Sequence, residues 1–392
     1  MNTNIADIAT AAKMRFANTP FAHNKDEYWR FANLSAWNAD GLFPYFTNSK
    51  PPAGEPCAAV REAEAKATSA QIALFDGQIT ALSKIDGVEI LPMAEAFADY
   101  GDRLSKFFGG ASGKLDLFQA SRPDRGVFVR VSEGVSAELE MSLIAKLHAS
   151  AAGAFFVLEK NSSLTLLKTS LVFGGSLGVA RFGFDIGENA RLNYAQIKLS
   201  EAASLMFERE DFYLASGCEV VDAMAQEGLA NSRSERNFNL YGTHCALDSR
   251  VFLKTSGDIT ADLRTKQTHF DESSKSNLEV KAALDDSSRI AFTGLVDVCT
   301  KAQKTEAYQS CRSLLLSKNA VSQASPILEI SANDVMCSHG CTVAEPDKEE
   351  LFYMQQRGLT DALAREMIVE SFAGTTFERI PQSEKLRHFL RF

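Results

Sequence analysis

The spacing of hydrophobic and polar positions along this chain changes character twice. To about residue 66 it reads as helical: Met14-Arg15-Phe16, the tract Asn24 to Trp37 with Tyr28, Trp29 and Phe31, and the Ala-rich tract Cys57 to Ala73. Pro20, Pro44, Pro51-Pro52 and Pro56 break these segments. Leu74-Phe75-Asp76-Gly77-Gln78-Ile79 predicts a hairpin with Asp-Gly as its turn. A helix is expected over Met93 to Phe108.

From about Val127 to Ile330 short alternating runs are separated by small polar turns, as in Phe128-Val129-Arg130-Val131 and Asn237-Phe238-Asn239-Leu240-Tyr241. Glu159-Lys160-Asn161-Ser162-Ser163-Leu164 recurs 28 residues later as Gly187-Glu188-Asn189-Ala190-Arg191-Leu192, and Gly134 to Leu139 sits a similar distance before it. A polar turn leading into a strand at a regular interval predicts a solenoid, whose coils bury their faces only against their neighbours. A β-sandwich would give much of the same texture, and the parallel β-helix is the preferred reading.

After Ile330 the period turns helical again. Asp347 is placed to cap a helix, with Glu350 at its N3 position and Gly358 as its C′ residue. Thr360 then caps a second helix carrying Leu363, Met367, Ile368 and Phe372 as an apolar stripe that ends near Gly374. This helical hairpin must pack on the end of the solenoid, on a partner, or on both.

Composition narrows the function classes. At 392 residues the chain has room for two or three domains, and 45% hydrophobic with 23% charged residues is an ordinary globular balance. A net charge of -9 without any basic block argues against a nucleic-acid partner. The longest apolar runs, such as Ser170 to Ala180, are too short for a membrane span. Seven dispersed cysteines, together with a start that lacks a basic and apolar leader, fit reduced thiols in the cytoplasm.

Two apparent motifs read better as turns. Gly109-Gly110-Ala111-Ser112-Gly113-Lys114 has Phe108 and Leu115 where a phosphate loop needs Gly and Ser/Thr. Gly174-Gly175-Ser176-Leu177-Gly178 fits G-x-S-x-G, but Val179 to Ile186 alternates as a strand where that motif needs a helix. Asp262 and His269 lie close enough in sequence to suggest an acid–base pair of a β-helix carbohydrate-active enzyme. The chain has no dense cluster of acids across successive coils to support that alternative, and structural hydrogen bonding is preferred.

The most chemically suggestive tract is Asp334 to Val343, in which Cys337, His339 and Cys341 fall within five residues of a Gly-containing loop. Thiolate and imidazole suit iron, zinc or sulfur chemistry. Two sulfurs and a nitrogen this close do not easily fill one tetrahedral site. Cys311 lies on a strand-like run, where burial between coils is the plain reading.

The stretch Asp262 to Leu359 closely resembles the SufD family of the Suf iron–sulfur cluster assembly system. Asp262, Thr265, His269, Ser276 and Lys281 match its D-x-x-T-x-x-x-H, Ser and Lys positions. Phe292 to Val298, Ala302-Gln303-Lys304-Thr305, Leu314 to Ser317, Pro326 to Ile330 and Cys337-Ser338-His339-Gly340 follow in the family's order. The resemblance implies a mainly β protein, a right-handed parallel β-helix flanked by helical terminal domains, divided here as 1–110, 111–330 and 331–392. It implies a non-enzymatic scaffold that pairs with a SufB-like subunit, with a homodimer as its alternative state alone. It also implies docking of a SufC-like ABC ATPase through the C-terminal hairpin, for which Leu351, Phe352, Tyr353, Arg357, Leu363 and Met367 are the candidates. No cofactor is expected to be tightly bound; a transient iron–sulfur cluster at a shared interface would involve His339, with Cys337 and Cys311. Two positions depart from the pattern: the family usually has alanine where this chain has Cys341, and Cys311-Arg312-Ser313-Leu314-Leu315 resembles the cysteine segment of SufB.

Overall fold

The computed structural model describes residues 5–23, 25–26, 29–46, 58–67, 70–146 and 148–377. Tyr28, Cys57, Pro51-Pro52, Pro56 and the segment 378–392 lie outside them. The body is a parallel β-solenoid of about eight turns, flanked by N- and C-terminal helices. Strands alternate along the chain between a ten-stranded and a nine-stranded sheet, so each coil gives one strand to each. Coil neighbours are in parallel register at spacings near the 28-residue recurrence: Ser163 pairs with Arg191, Arg191 with Glu219, and Leu205 with Asn231. Toward the C-terminus the coils lengthen, and Arg289 pairs with Val321.

The recurring turns are recurring left-handed residues. Gly134, Asn161, Asn189, Gly217, His244, Ser273 and Lys304 all take positive φ where the nine-stranded sheet hands the chain to the ten-stranded one. Asn tolerates this conformation better than most residues, which is why the repeat reads as a polar turn in sequence. Between turns, alternation sends every second side chain inward. Phe156, Phe184, Phe212 and Phe238 occupy one inward column, with ring centroids 5.0, 4.6 and 4.6 Å apart.

The outer faces are covered by helices over much of the solenoid. Helices Ile5–Asn18, Met93–Gly109 and Lys114–Ala120 bury Phe107, Phe108 and Leu117 with Phe128 and Phe155 of the nine-stranded sheet. Helices Ala58–Ala67 and Asp361–Phe377 cover the other sheet, where Ala63, Val369, Ala373 and Phe377 meet Leu171, Ile197, Ala225 and Phe252. The expected Asp-Gly hairpin is present: Phe75 pairs with Gln78, and Asp76 and Gly77 both have positive φ.

Three expectations are corrected at the level of elements. Among the described residues of the tract Asn24 to Trp37, only Leu34–Trp37 is α-helix. Its preceding residues form single turns, and the Arg233 guanidinium lies 3.9 Å from the centre of the Trp29 ring. The Ala-rich helix stops at Ala67, because Ile72–Phe75 is drawn into parallel pairing with Met141 to Ile144. Finally, the segment after residue 331 does not turn helical at once: Val335–Ala344 is a further strand of the solenoid, paired with Thr305 to Leu314.

Candidate functional site

That last strand carries the Cys-Ser-His-Gly-Cys tract, so the expected loop is a strand. Its register sets Cys337 beside Ala307, His339 beside Gln309 and Cys341 beside Cys311. Ala307, Gln309 and Cys311 are inward residues and are buried. Cys337, His339 and Cys341 share their phase and therefore face the solenoid's interior direction, but among the described residues no further coil lies beyond them. Cys337 is half-buried, while His339 and Cys341 are exposed. A core-facing column thus emerges at an open end. Val321–Ile330 ends the other sheet there, and Ile330, Met336 and Val343 are exposed around it.

Cys311 is sealed one coil inside. Burial pushes its thiol up to about 12, and the neighbouring Cys341 thiol adds to the effect. Burial also raises the Cys337 thiol. Both groups hold their protons at neutral pH and become good ligands only when a metal ion or a cationic partner displaces them. Among the described residues, no three His, Cys, Asp or Glu side chains are arranged to hold a metal ion.

Asp262 and His269 do not meet. They belong to the same strand, Thr260–His269, but seven positions apart they point to opposite faces. Asp262 faces outward and takes a hydrogen bond from Arg233. His269 faces inward, with Nε2 2.8 Å from Ser276 Oγ. Burial lowers its imidazole pKa to about 4, so it is neutral at pH 7. The acid–base pair of the carbohydrate-active alternative is absent. Lys281, another of the matched positions, donates to the Phe372 carbonyl at 2.9 Å and ties the terminal helix to the solenoid.

Sequence reasoning missed a charged network inside the coils. Lys168 Nζ lies 2.9 Å from both Glu208 and Glu210, and Lys198 Nζ 2.6 Å from Glu208. Arg236 engages Glu210 and Asp222 at 2.7 Å, and Tyr194 donates to Glu210 at 2.7 Å. All seven side chains are buried. Burial would raise the Glu208 carboxyl, but Lys168 and Lys198 outweigh it and hold the pKa at about 2. The signal was present in parity: Lys168 shares its phase with Leu164 and Leu166, which are core residues.

The C-terminal hairpin consists of Lys348–Gln356 and Asp361–Phe377. Asp347 caps the first helix by accepting from Glu349 N at 2.8 Å, and Gly358 takes a φ of 92° after it. Thr360 Oγ1 accepts from Leu363 N at 3.3 Å to cap the second. The apolar side chains divide into two sets. Val369, Ala373 and Phe377 pack on the solenoid with Ile368 and Phe372, whereas Phe352, Tyr353, Leu363 and Met367 are 62, 59, 44 and 43% exposed. Leu351 is buried, which removes it from the candidate contact surface. Arg357 lies against the Tyr353 ring, 5.2 Å from its centre.

Known proteins share this architecture's sequence. The model of the SUF system FeS cluster assembly SufBD core domain matches residues 143–372, from the early coils through the helix that receives Lys281. The chain belongs to the SufBD family of iron–sulfur cluster assembly proteins. It is 30% identical over 201 residues to the iron–sulfur cluster assembly protein SufD of Escherichia coli, covering 51% of this chain and 48% of that protein. It is 24% identical over 315 residues to SufD of Bacillus subtilis, covering 76% and 71% respectively. A SufBD family protein of Synechocystis is 40% identical over 101 residues, 26% of this chain and 22% of the relative. The chain therefore spans about half the length of its Escherichia coli relative in that match. Among the described residues no helix is long and apolar enough to cross a membrane.

Proposed function

We propose that this SufBD family chain is a SufD-like, non-catalytic scaffold of the Suf system that works in the cytoplasm. In this reading its open solenoid end pairs with a SufB-like subunit, and its C-terminal hairpin docks a SufC-like ABC ATPase. The observation that carries the proposal is the uncovered last coil. Among the described residues, His339, Cys341 and Val343 sit at core-facing positions with no coil to cover them, and each sheet ends there on a ten-residue strand. Such long edges with exposed apolar side chains are normally blocked or paired.

The donor set supports a shared site. His339, Cys337 and Cys311 supply nitrogen and sulfur near one end, yet no three-ligand group exists among the described residues. A transient iron–sulfur cluster, as cargo, would need further ligands from the partner's end. The exposed Phe352, Tyr353, Leu363 and Met367, with Arg357 beside them, supply an aromatic and apolar surface of the kind that anchors protein partners. The sheet-to-helix tie from Lys281 to Phe372 would let motion of a docked ATPase reach the solenoid.

The test is purification of the tagged chain from its own cells, with every co-purifying protein identified. Recovery of an ABC-type ATPase and a second SufBD family chain is expected. Recovery of folded protein with neither would overturn the proposal.

A further inference from the structure

Among the described residues, two pairs of cysteines are stacked on neighbouring coils. Cys218 and Cys245 immediately precede the paired positions Glu219 and Ala246, and both are buried. Cys311 and Cys341 are direct register partners, the first buried and the second exposed. The backbone brings the members of each pair to the same side of neighbouring strands. Parallel strands lie about 4.7–4.9 Å apart. A disulfide tolerates Cα separations of about 4.4–6.8 Å, so an in-register pair lies within range. Bond formation requires the Cβ atoms to draw somewhat closer. The strand Val335–Ala344 ends its sheet and is free to make that shift, whereas the Cys218–Cys245 pair is held between coils on both sides.

Access separates the two pairs as well. Cys341 opens to solvent at the solenoid's end; Cys218 and Cys245 are closed off, and the Cys245 thiol donates to the Gly242 carbonyl at 3.2 Å. Cys337 is no competitor for Cys341, because four residues along a strand is about 13 Å.

We propose that Cys311 and Cys341 form a peroxide-sensitive dithiol that closes to a disulfide across the last two coils. The Cys341 sulfur attacks hydrogen peroxide, the O–O bond breaks, and sulfenic acid and water form. The Cys311 sulfur then attacks the sulfenic sulfur, the S–S bond forms and a second water leaves. Two thiols are oxidised, one peroxide is reduced, and both thiol protons leave in water. A disulfide reachable from solvent at a sheet end is also open to thiol reductants. The dithiol stands on register and exposure and does not depend on the scaffold reading. If that reading holds, oxidation withdraws both sulfurs from the site beside His339.

The test uses the purified full chain alone, treated with stoichiometric hydrogen peroxide and then titrated for thiols in denaturant. Seven cysteines should react before treatment and five after. The intact mass should fall by about 2 Da, and dithiothreitol should restore it. Peptide mapping should find the 311–341 link and leave 218 and 245 free. Cys341→Ala, which removes an exposed side chain, should retain all six of its thiols under the same dose. Three results would overturn the proposal: seven thiols retained, a link between other cysteines, or Cys341 converted to sulfinic acid without a link.

Discussion

Arg236 grips Asp222 with two guanidinium nitrogens at 2.7 Å each, across the interior from one sheet to the other. Ser249 also donates to Asp222 at 2.7 Å, and Glu210 takes the Arg236 Nε. The pair is completely buried, so removing one partner strands the other without water. Asp222→Ala should cost about 3–5 kcal/mol of stability, while a double replacement of Asp222 and Arg236 by apolar residues of similar volume should recover much of it. The surface pair Lys160–Glu188 has the same chemistry at 2.8 Å with both side chains exposed. Glu188→Ala should leave the denaturation midpoint unmoved.

The buried His269 makes the solenoid acid-sensitive. Its folded pKa is lowered to about 4 from an ordinary 6.5. The unfolded chain therefore binds a proton that the folded chain refuses between these values. The stabilisation is whole above pH 6.5 and is lost as pH falls toward 4, amounting to about 3 kcal/mol. Denaturation at pH 7 and pH 5 should show about 2 kcal/mol of that loss, and His269→Gln should flatten the slope. An unchanged slope in the variant would remove His269 from the account.

On the terminal hairpin, residues that pack on the solenoid can be separated from exposed ones. Phe352→Ser, Leu363→Ser and Met367→Ser alter exposed side chains and should shift stability by no more than about 0.5 kcal/mol each. If the proposed docking holds, they should nevertheless weaken capture of a SufC-like ATPase, read by co-purification. Phe377→Ala removes a buried ring and should cost about 3–5 kcal/mol.

His339→Ala and Cys337→Ser should leave the thermal midpoint within a few degrees, since neither is a core residue. If the proposed shared site holds, His339→Ala should lower the iron retained after anaerobic reconstitution of the chain with its co-purifying partners several-fold. Wild-type iron content in that variant would remove His339 from the site.

Much of the solenoid was legible because its turns are local. Asn161 and Asn189 mark the same left-handed corner on successive coils, and that corner sets the period. Asp76-Gly77, Asp347 and Thr360 likewise announced a hairpin and two helix starts through chemistry confined to a few neighbours. The opposite orientation of Asp262 and His269 was also written in the sequence, since an odd separation on one strand puts two residues on opposite faces. The acid–base alternative overlooked it.

The sequence by itself determined the repeat, the corners, and which residues share a face, because each depends on backbone conformation over a few positions. It showed Cys311 and Cys341 only as residues thirty apart in different segments. Their juxtaposition needed the coil length and register that stacking sets. The exposure of His339 also belongs to the tertiary structure. The alternation that buries Gln309 in one coil leaves His339 open in the next, because burial comes from the following coil and, among the described residues, none follows that of His339.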